Sequence, residues 1–298
     1  MPFTLSHAAA VLPAVRRDGT GRGPLVPAVL VAGSFAPDMP FYAANVLPGG
    51  MQFGAVTHAF GGVCTVDVLI SWALVGLWLL VREPLLALLP RGRQGRPAVL
   101  LRCGAPRARA DAATVLRWYV SAVLGALTHV VWDAFTHQGR WGTRLIPAIG
   151  RDRVAGTPLS TWLQYGSSVA GAAVIAAFAA RALRRAADGE PVGVPVLSAR
   201  DRWWAGAVIG CCAAAGAVQR AARWWALMGA PERPWELVPT VCFGAGAGLV
   251  LGLVLYAGGV RAWGRRRGPG GPADLGGPVG PGAPGGVVGA GRGRPAAR

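Results

Sequence analysis

Gly125-Ala126-Leu127-Thr128-His129-Val130-Val131-Trp132-Asp133-Ala134-Phe135-Thr136-His137 is an apolar run that carries two of the chain's four histidines and a carboxylate. On an α-helix, residues four apart lie one above the other on the same face, so His129 and Asp133 form a neighbouring pair. An imidazole and a carboxylate so placed make a two-toothed grip for a divalent metal. In a water-exposed helix the same spacing is an ordinary polar pair. Here the surroundings, Val120 to Leu127 and Val130 to Trp132, read as lipid-embedded. An Asp near the centre of a membrane helix costs about 2.5 to 3.5 kcal/mol on insertion scales, and residues kept at that cost are usually functional. His137 repeats the interval, but about 12 Å of helix rise separates it from His129. Either it serves a second metal or a substrate, or the helix ends near Phe135.

Composition sets the class around this run. The 298 residues are 53% hydrophobic and 14% charged, with mean hydropathy +0.41, which predicts an all-α, multi-pass transmembrane bundle. All 30 basic residues are arginine, and with 45 glycines and 24 prolines this suggests a genome rich in G and C. A net charge of +17 raises nucleic acid as a partner. The arginines mostly occupy loops between apolar spans, however, and the tail beyond Trp263 lacks aromatic stacking residues, so no nucleic-acid partner is expected. Cys64, Cys103, Cys211, Cys212 and Cys242 show no metal-ligand spacing, and the Cys211-Cys212 pair reads as small helix-packing residues.

Taken in order, Phe3 to Val15 and Pro24 to Ala36 read as a short helical hairpin turning at Asp18 to Gly23. That geometry brings His7, near the start of the first arm, level with Asp38 at the end of the second. Pro37 and Pro40 stop the helix and fix the backbone around Asp38. His58 stands just before the first long span, Val63 to Val81. Asp67, in the opening turns of that span, reads as a packing or supporting carboxylate. Arg82 to Arg117 is expected as a polar connection, with Pro84 to Leu89 along the membrane surface. Leu116 to Phe135 is the next span, and Gly139 to Gly156 a polar loop bearing Arg140, Arg144, Arg151 and Arg153.

Three more spans follow, at Ser167 to Leu183, Trp203 to Ala221 and Leu237 to Val260, rich in the Gly and Ala that let membrane helices approach closely. The membrane domain thus occupies residues 1–260. Residues 261–298, rich in Gly, Pro and Arg from Gly264 onward with almost nothing to bury, are expected as a disordered tail, suited to anionic headgroups. With that tail in the cytoplasm, all but seven of the 30 arginines fall on the cytoplasmic side, as the positive-inside rule requires. His7, Asp38, His58, His129, Asp133 and His137 then all reach the opposite end of the bundle. Scattered polar residues would not segregate in this way, so these six are the candidate metal ligands.

The same residues carry a resemblance. Pro2-Phe3-Thr4-Leu5-Ser6-His7, Gly33-Ser34-Phe35-Ala36-Pro37-Asp38-Met39-Pro40, Thr57-His58 and Thr128 to His137 together resemble a bacterial membrane family called domain of unknown function 4184, over roughly residues 1 to 260. More distantly, the order His, Asp, His, HxxxD, His looks like membrane-bound metal-dependent hydrolases and the helical zinc-dependent phospholipases C. The phospholipase resemblance implies one metal on Asp38, His58, His129 and Asp133, with Asp133 bridging to a second held partly by His7. Those enzymes also use an HxxxE pair and an N-terminal tryptophan amine, which this chain lacks.

The function expected is a metal-dependent hydrolase of the plasma membrane, cutting a phosphate ester of a lipid or envelope precursor at the non-cytoplasmic face. Zinc, or else manganese, suits mixed His and carboxylate ligands, and Arg140 or Arg144 is placed to clamp the phosphate. The alternatives are a transporter that passes an ion along the same ligands and an integral scaffold with a structural or vestigial site.

Overall fold

The structure is a computed structural model and describes residues 3–102, 111–231 and 233–266. Its long elements are all helical. A short helix α1 (Pro27–Phe35) precedes five that are long and apolar enough to cross a membrane. These are α2 (Val66–Ala87), α3 (Ala112–Thr136), α4 (Leu159–Arg185), α5 (Ala199–Met228) and α6 (Leu237–Arg266). At 1.5 Å per residue even α2 reaches about 33 Å, enough for a hydrocarbon core of about 30 Å. Among the described residues the only named strands are Arg153–Val154 and Thr157–Pro158, a small antiparallel hairpin.

The N-terminal hairpin forms as expected. Helical turns run from Thr4 to Ala14, Val15 pairs with Gly21 across the bend, and α1 returns. Pro27 sits in the first turn of α1, where its missing N–H removes no helical bond. α1 then crosses α3 with the two backbones in contact. A Cβ on Gly125 would lie 2.2 Å from the Leu30 carbonyl oxygen, and one on Gly33 would lie 2.5 Å from that of Ala122. Only glycine at both positions permits this approach. Val29, Ala32, Val68, Val75 and Ala122 make the core between α1, α2 and α3, with Trp72 and Trp118 packed against it.

α5 and α6 form a second close pair. A Cβ on Gly216 would lie 2.3 Å from the Gly244 carbonyl oxygen, and one on Gly248 would lie 2.0 Å from that of Cys212.

Several boundaries differ from those expected. Residues Pro84 to Ala87 continue α2 and do not form a separate surface segment. A proline inside a helix leaves the carbonyl four residues earlier without its donor. Arg261 Nη2 supplies that donor to Leu80 O at 2.6 Å, while Tyr256 Oη donates to Pro84 O at 2.8 Å. The loop after α3 is partly helical, with Trp141–Leu145 and Pro147–Arg151 ahead of the hairpin. α4 and α5 each extend beyond the expected apolar window at both ends. α6 runs on to Arg266, and the rest of the tail, like Cys103, lies outside the described residues.

The arginine-rich connections collect at one end of the bundle. Arg17 shares a cleft with Arg181 and Arg185, Arg102 meets Glu83 and Val192, and Arg261 meets Leu80. The histidines lie toward the other end.

Candidate metal centre

Each ligand candidate arrives on a different local device. Asp38 closes a single 3-10 turn, Ala36–Asp38, wedged between α1 and the short helix Met39–Ala43, and Pro37 and Pro40 enforce the two breaks. His58 caps the C-terminus of helix Gly50–Thr57, which opens after Gly49 in the left-handed region (φ 83). His129 and Asp133 occupy the last two turns of α3. His7 ends the first turn of the hairpin and stacks on His129, with ring centroids 3.9 Å apart.

The four central side chains close on one another. His129 Nε2 lies 3.4 Å from Asp38 Oδ1 and 3.5 Å from Asp133 Oδ2, while His58 Nε2 lies 3.7 and 3.5 Å from the same two oxygens. Ligand atoms of Asp38, His58, His129 and Asp133 all fall within 4.8 Å of one another, and all four residues are buried. A cation bonded to tetrahedral N and O donors at about 2.0 to 2.2 Å spaces those donors about 3.3 to 3.6 Å apart. Three of the four measured edges fall in that range and the fourth, His58 Nε2 to Asp38 Oδ1 at 3.7 Å, lies just above it.

Hydrogen bonding at the far side of each ring fixes what the near side offers. His129 Nδ1 lies 2.7 Å from Ser34 O and His58 Nδ1 lies 2.8 Å from Gly54 O. A carbonyl oxygen only accepts, so both Nδ1 atoms carry hydrogen and a neutral ring presents its Nε2 lone pair to the cluster. Neither Nε2, nor Asp38 Oδ1, nor Asp133 Oδ1 has a hydrogen-bond partner among the described residues. Two lone-pair nitrogens facing two carboxylates in a dry interior repel one another unless positive charge lies between them. A divalent cation held by the four donors meets that demand.

Asp133 has a second side. Its Oδ1 lies 3.5 Å from His7 Nε2 and 3.7 Å from His137 Nδ1, so it joins these two rings to the four-residue core. Burial pulls His7 well below the usual histidine range and is followed in effect by the neighbouring His129. Burial likewise pushes His137 down to about 4, against the attraction of Asp133, so this ring is neutral at pH 7. His137 caps α3 and remains partly exposed. Its Nε2 sits 2.9 Å from Gln164 Nε2. As drawn the amide donates and Nδ1 carries hydrogen; with the amide turned, Oε1 accepts from Nε2–H and Nδ1 is free to ligate.

Arg144 is exposed and Arg140 half-buried, and no hydrogen bond or ion pair joins either to the cluster among the described residues. Asp67 is fully buried in the first turn of α2, with neither oxygen hydrogen-bonded among the described residues. The supporting contacts were beyond sequence reading. Thr4 Oγ1 donates to Asp38 Oδ2 at 2.5 Å, Thr57 Oγ1 donates to Pro37 O at 2.7 Å, and Trp132 Nε1 donates to Ser167 Oγ at 3.0 Å. The one available signal was that Thr4 and Thr57 are polar residues inside the motifs that carry His7 and His58.

No curated protein and no solved structure matches the chain. The sequence model of the family described as "Domain of unknown function (DUF4184)" matches residues 1–258, a span that takes in every residue of the cluster, and the chain belongs to that family.

Proposed function

We propose that this protein is a membrane-embedded, metal-dependent hydrolase of a phosphate ester carried by a lipid or cell-envelope precursor. The observation that carries the reading is the two-sided placement of Asp133. One oxygen completes a four-donor set with Asp38, His58 and His129, and the other faces His7 and the partly exposed His137. Four buried protein donors alone would make a closed, structural site. The added side toward His137 supplies what a structural site does not need, a second position reached from the rim.

A zinc or manganese ion bound there would activate water and offset charge developing on phosphate oxygens. The chain's own groups have separable roles. Asp38 and Asp133 bring the negative charge that retains a dication, and Ser34 O and Gly54 O hold the two imidazoles in the binding tautomer. His7 and His137 hold the second position, with Gln164 setting whether the His137 Nδ1 that faces Asp133 carries hydrogen. Arg140 and Arg144, on the segment that follows α3, are the proposed phosphate clamp. Positive-inside counting supports a non-cytoplasmic site, because the arginine-rich connections gather at the other end.

The test is hydrolysis of radiolabelled phospholipid and isoprenoid-phosphate substrates by detergent-purified protein, beside His129→Ala and a chelated sample. Turnover is expected that disappears in both controls and returns on adding zinc or manganese to the chelated wild type. Protein that is folded and metal-loaded yet inert across monoester and diester lipids would overturn the hydrolase reading. The full burial of the four-donor set favours the second reading, a non-enzymatic membrane protein with a structural ion. That reading expects chelation to lower thermal stability with no turnover at any stage.

A further inference from the structure

A second polar feature lies far from the histidines. Ser167, one turn beyond Gln164 in α4, bonds Trp132 beside the cluster, while Arg181 and Arg185 stand near the other end of the same helix, about 20 Å away along its axis. There a cavity of about 450 Å³ opens between the first arm of the N-terminal hairpin and the last turns of α4. Its walls include Leu12, Val174 and Phe178, and Arg17, Arg181 and Arg185 line it as well.

The three guanidiniums come from two elements. Arg181 and Arg185 are one helical turn apart on one face, and Arg17 reaches the same cavity from the hairpin bend. No carboxylate lies within ion-pair distance of any of them among the described residues, where the arginine ion pairs are those of Arg82 and Arg102 with Glu83. Favourable interaction with the α4 C-terminus accounts for basic residues in its last turn, Arg184 and Arg185. It does not account for Arg17 on another element, or for an apolar wall beneath the charges.

The geometry points to a binding site for an anionic phospholipid, with its phosphate against Arg17, Arg181 and Arg185 and an acyl chain along Leu12, Val174 and Phe178. An apolar trough leading to three cations that have no counter-ion among the described residues matches an amphiphile with a negative head. A small inorganic anion would use the cations and leave the trough without purpose. The site is independent of the metal reading, since none of its residues belongs to the cluster.

The test measures lipid retained by full-length protein purified in mild detergent, by native mass spectrometry, and affinity for phosphatidylglycerol in nanodiscs of graded composition. Removing each arginine near a membrane surface is worth about fivefold in affinity for anionic lipid. The expected result is that Arg17→Gln, Arg181→Gln and Arg185→Gln each lower phosphatidylglycerol affinity about fivefold and the triple variant more. Arg91→Gln, Arg93→Gln and Arg200→Gln together, exposed arginines of the arginine-rich connections, are expected to leave it unchanged. Phe178→Ala should lower affinity for the lipid, and metal content should stay at the wild-type level throughout. Equal losses in the control triple variant would reduce the effect to general surface charge and overturn the proposal. Displacement of the retained lipid by an equal concentration of inorganic phosphate would overturn it in favour of a free-anion site. A variant that fails to fold is replaced by the single Arg17→Gln change on the hairpin bend, which is judged by the same two outcomes.

Discussion

The two closely packed regions of this protein use glycine for different ends. At the α1/α3 crossing, Gly33 and Gly125 bring two backbones together so that Ser34 O meets His129 Nδ1 one turn further on. At the α5/α6 contact, Gly216, Gly244 and Gly248 bring two backbones just as close, and the one side chain met there is that of Arg220, whose guanidinium turns away to Phe41 O and Asn45 Oδ1. Close approach in the second region yields packing and a tether to the segment after α1, with no cluster of ligand-type side chains among the described residues. In the first it also positions a donor set. Buried polar groups follow the same division: His7, Asp38, His58, Asp67, His129 and Asp133 are all buried among residues 3–136, and among the described residues no buried polar side chain of this kind belongs to α5 or α6.

The largest break in this contrast comes from Asp133→Ala. Removing the carboxylate that both sides of the cluster share is expected to reduce retained divalent metal to background by elemental analysis, with Asp133→Asn behaving likewise because the amide carries no charge. Metal content unchanged in both would refute shared ligation. Acidification should act in the same direction. Ligating imidazoles must be neutral and carboxylates ionised, so bound metal is retained at neutral pH and lost as pH falls and protons compete; equilibrium dialysis across a pH series measures it.

A smaller effect is expected from Thr4→Val, which deletes the donor to Asp38 Oδ2 and leaves the ligands in place. Loss of such a supporting hydrogen bond lowers metal affinity about 10- to 100-fold, readable by competition with a chromophoric chelator. Next come Gly125→Ala and Gly216→Ala as a pair. Each forces overpacking that costs about 1 to 3 kcal/mol, seen as reduced thermal stability, but only Gly125→Ala is expected to lower metal affinity too. If both variants bind metal like the wild type, the α1/α3 crossing is packing and nothing more. Arg144→Gln should change least, with stability within about 0.5 kcal/mol and metal content unaltered, so that any rise in KM for a phosphate substrate isolates the proposed clamp.

The cluster was legible to the extent that charge in an apolar run is costly. His129 and Asp133 announce themselves by sitting among Val130, Val131 and Trp132, and Asp38 by its two prolines. The hairpin followed from two short apolar arms around Asp18 to Gly23. What remained hidden depends on tertiary contact. The carbonyls of Ser34 and Gly54 have no residue-type signature, because every residue has one. Gln164 lies in a turn of α4 that hydropathy alone placed outside the span. Pro84 reads as a helix end until the Arg261 and Tyr256 contacts are known, since these bonds span 181 and 172 positions from α6. The 39–57 segment reads as a loop because its Gly, Pro and Asn content masks two short helices.

The distance in sequence between the ligands bears on how the chain is made. Asp38 and His58 leave the ribosome well before Asp133, yet an uncompensated carboxylate does not settle cheaply in a dry membrane interior. The hairpin and the 39–57 segment are therefore expected to stay at the wet interface during synthesis and to sink to their final depth only after α3 has been inserted and can meet them. On this account the hairpin and the 39–57 segment are passengers of the third helix, and a nascent chain halted before residue 129 should leave its N-terminus open to protease.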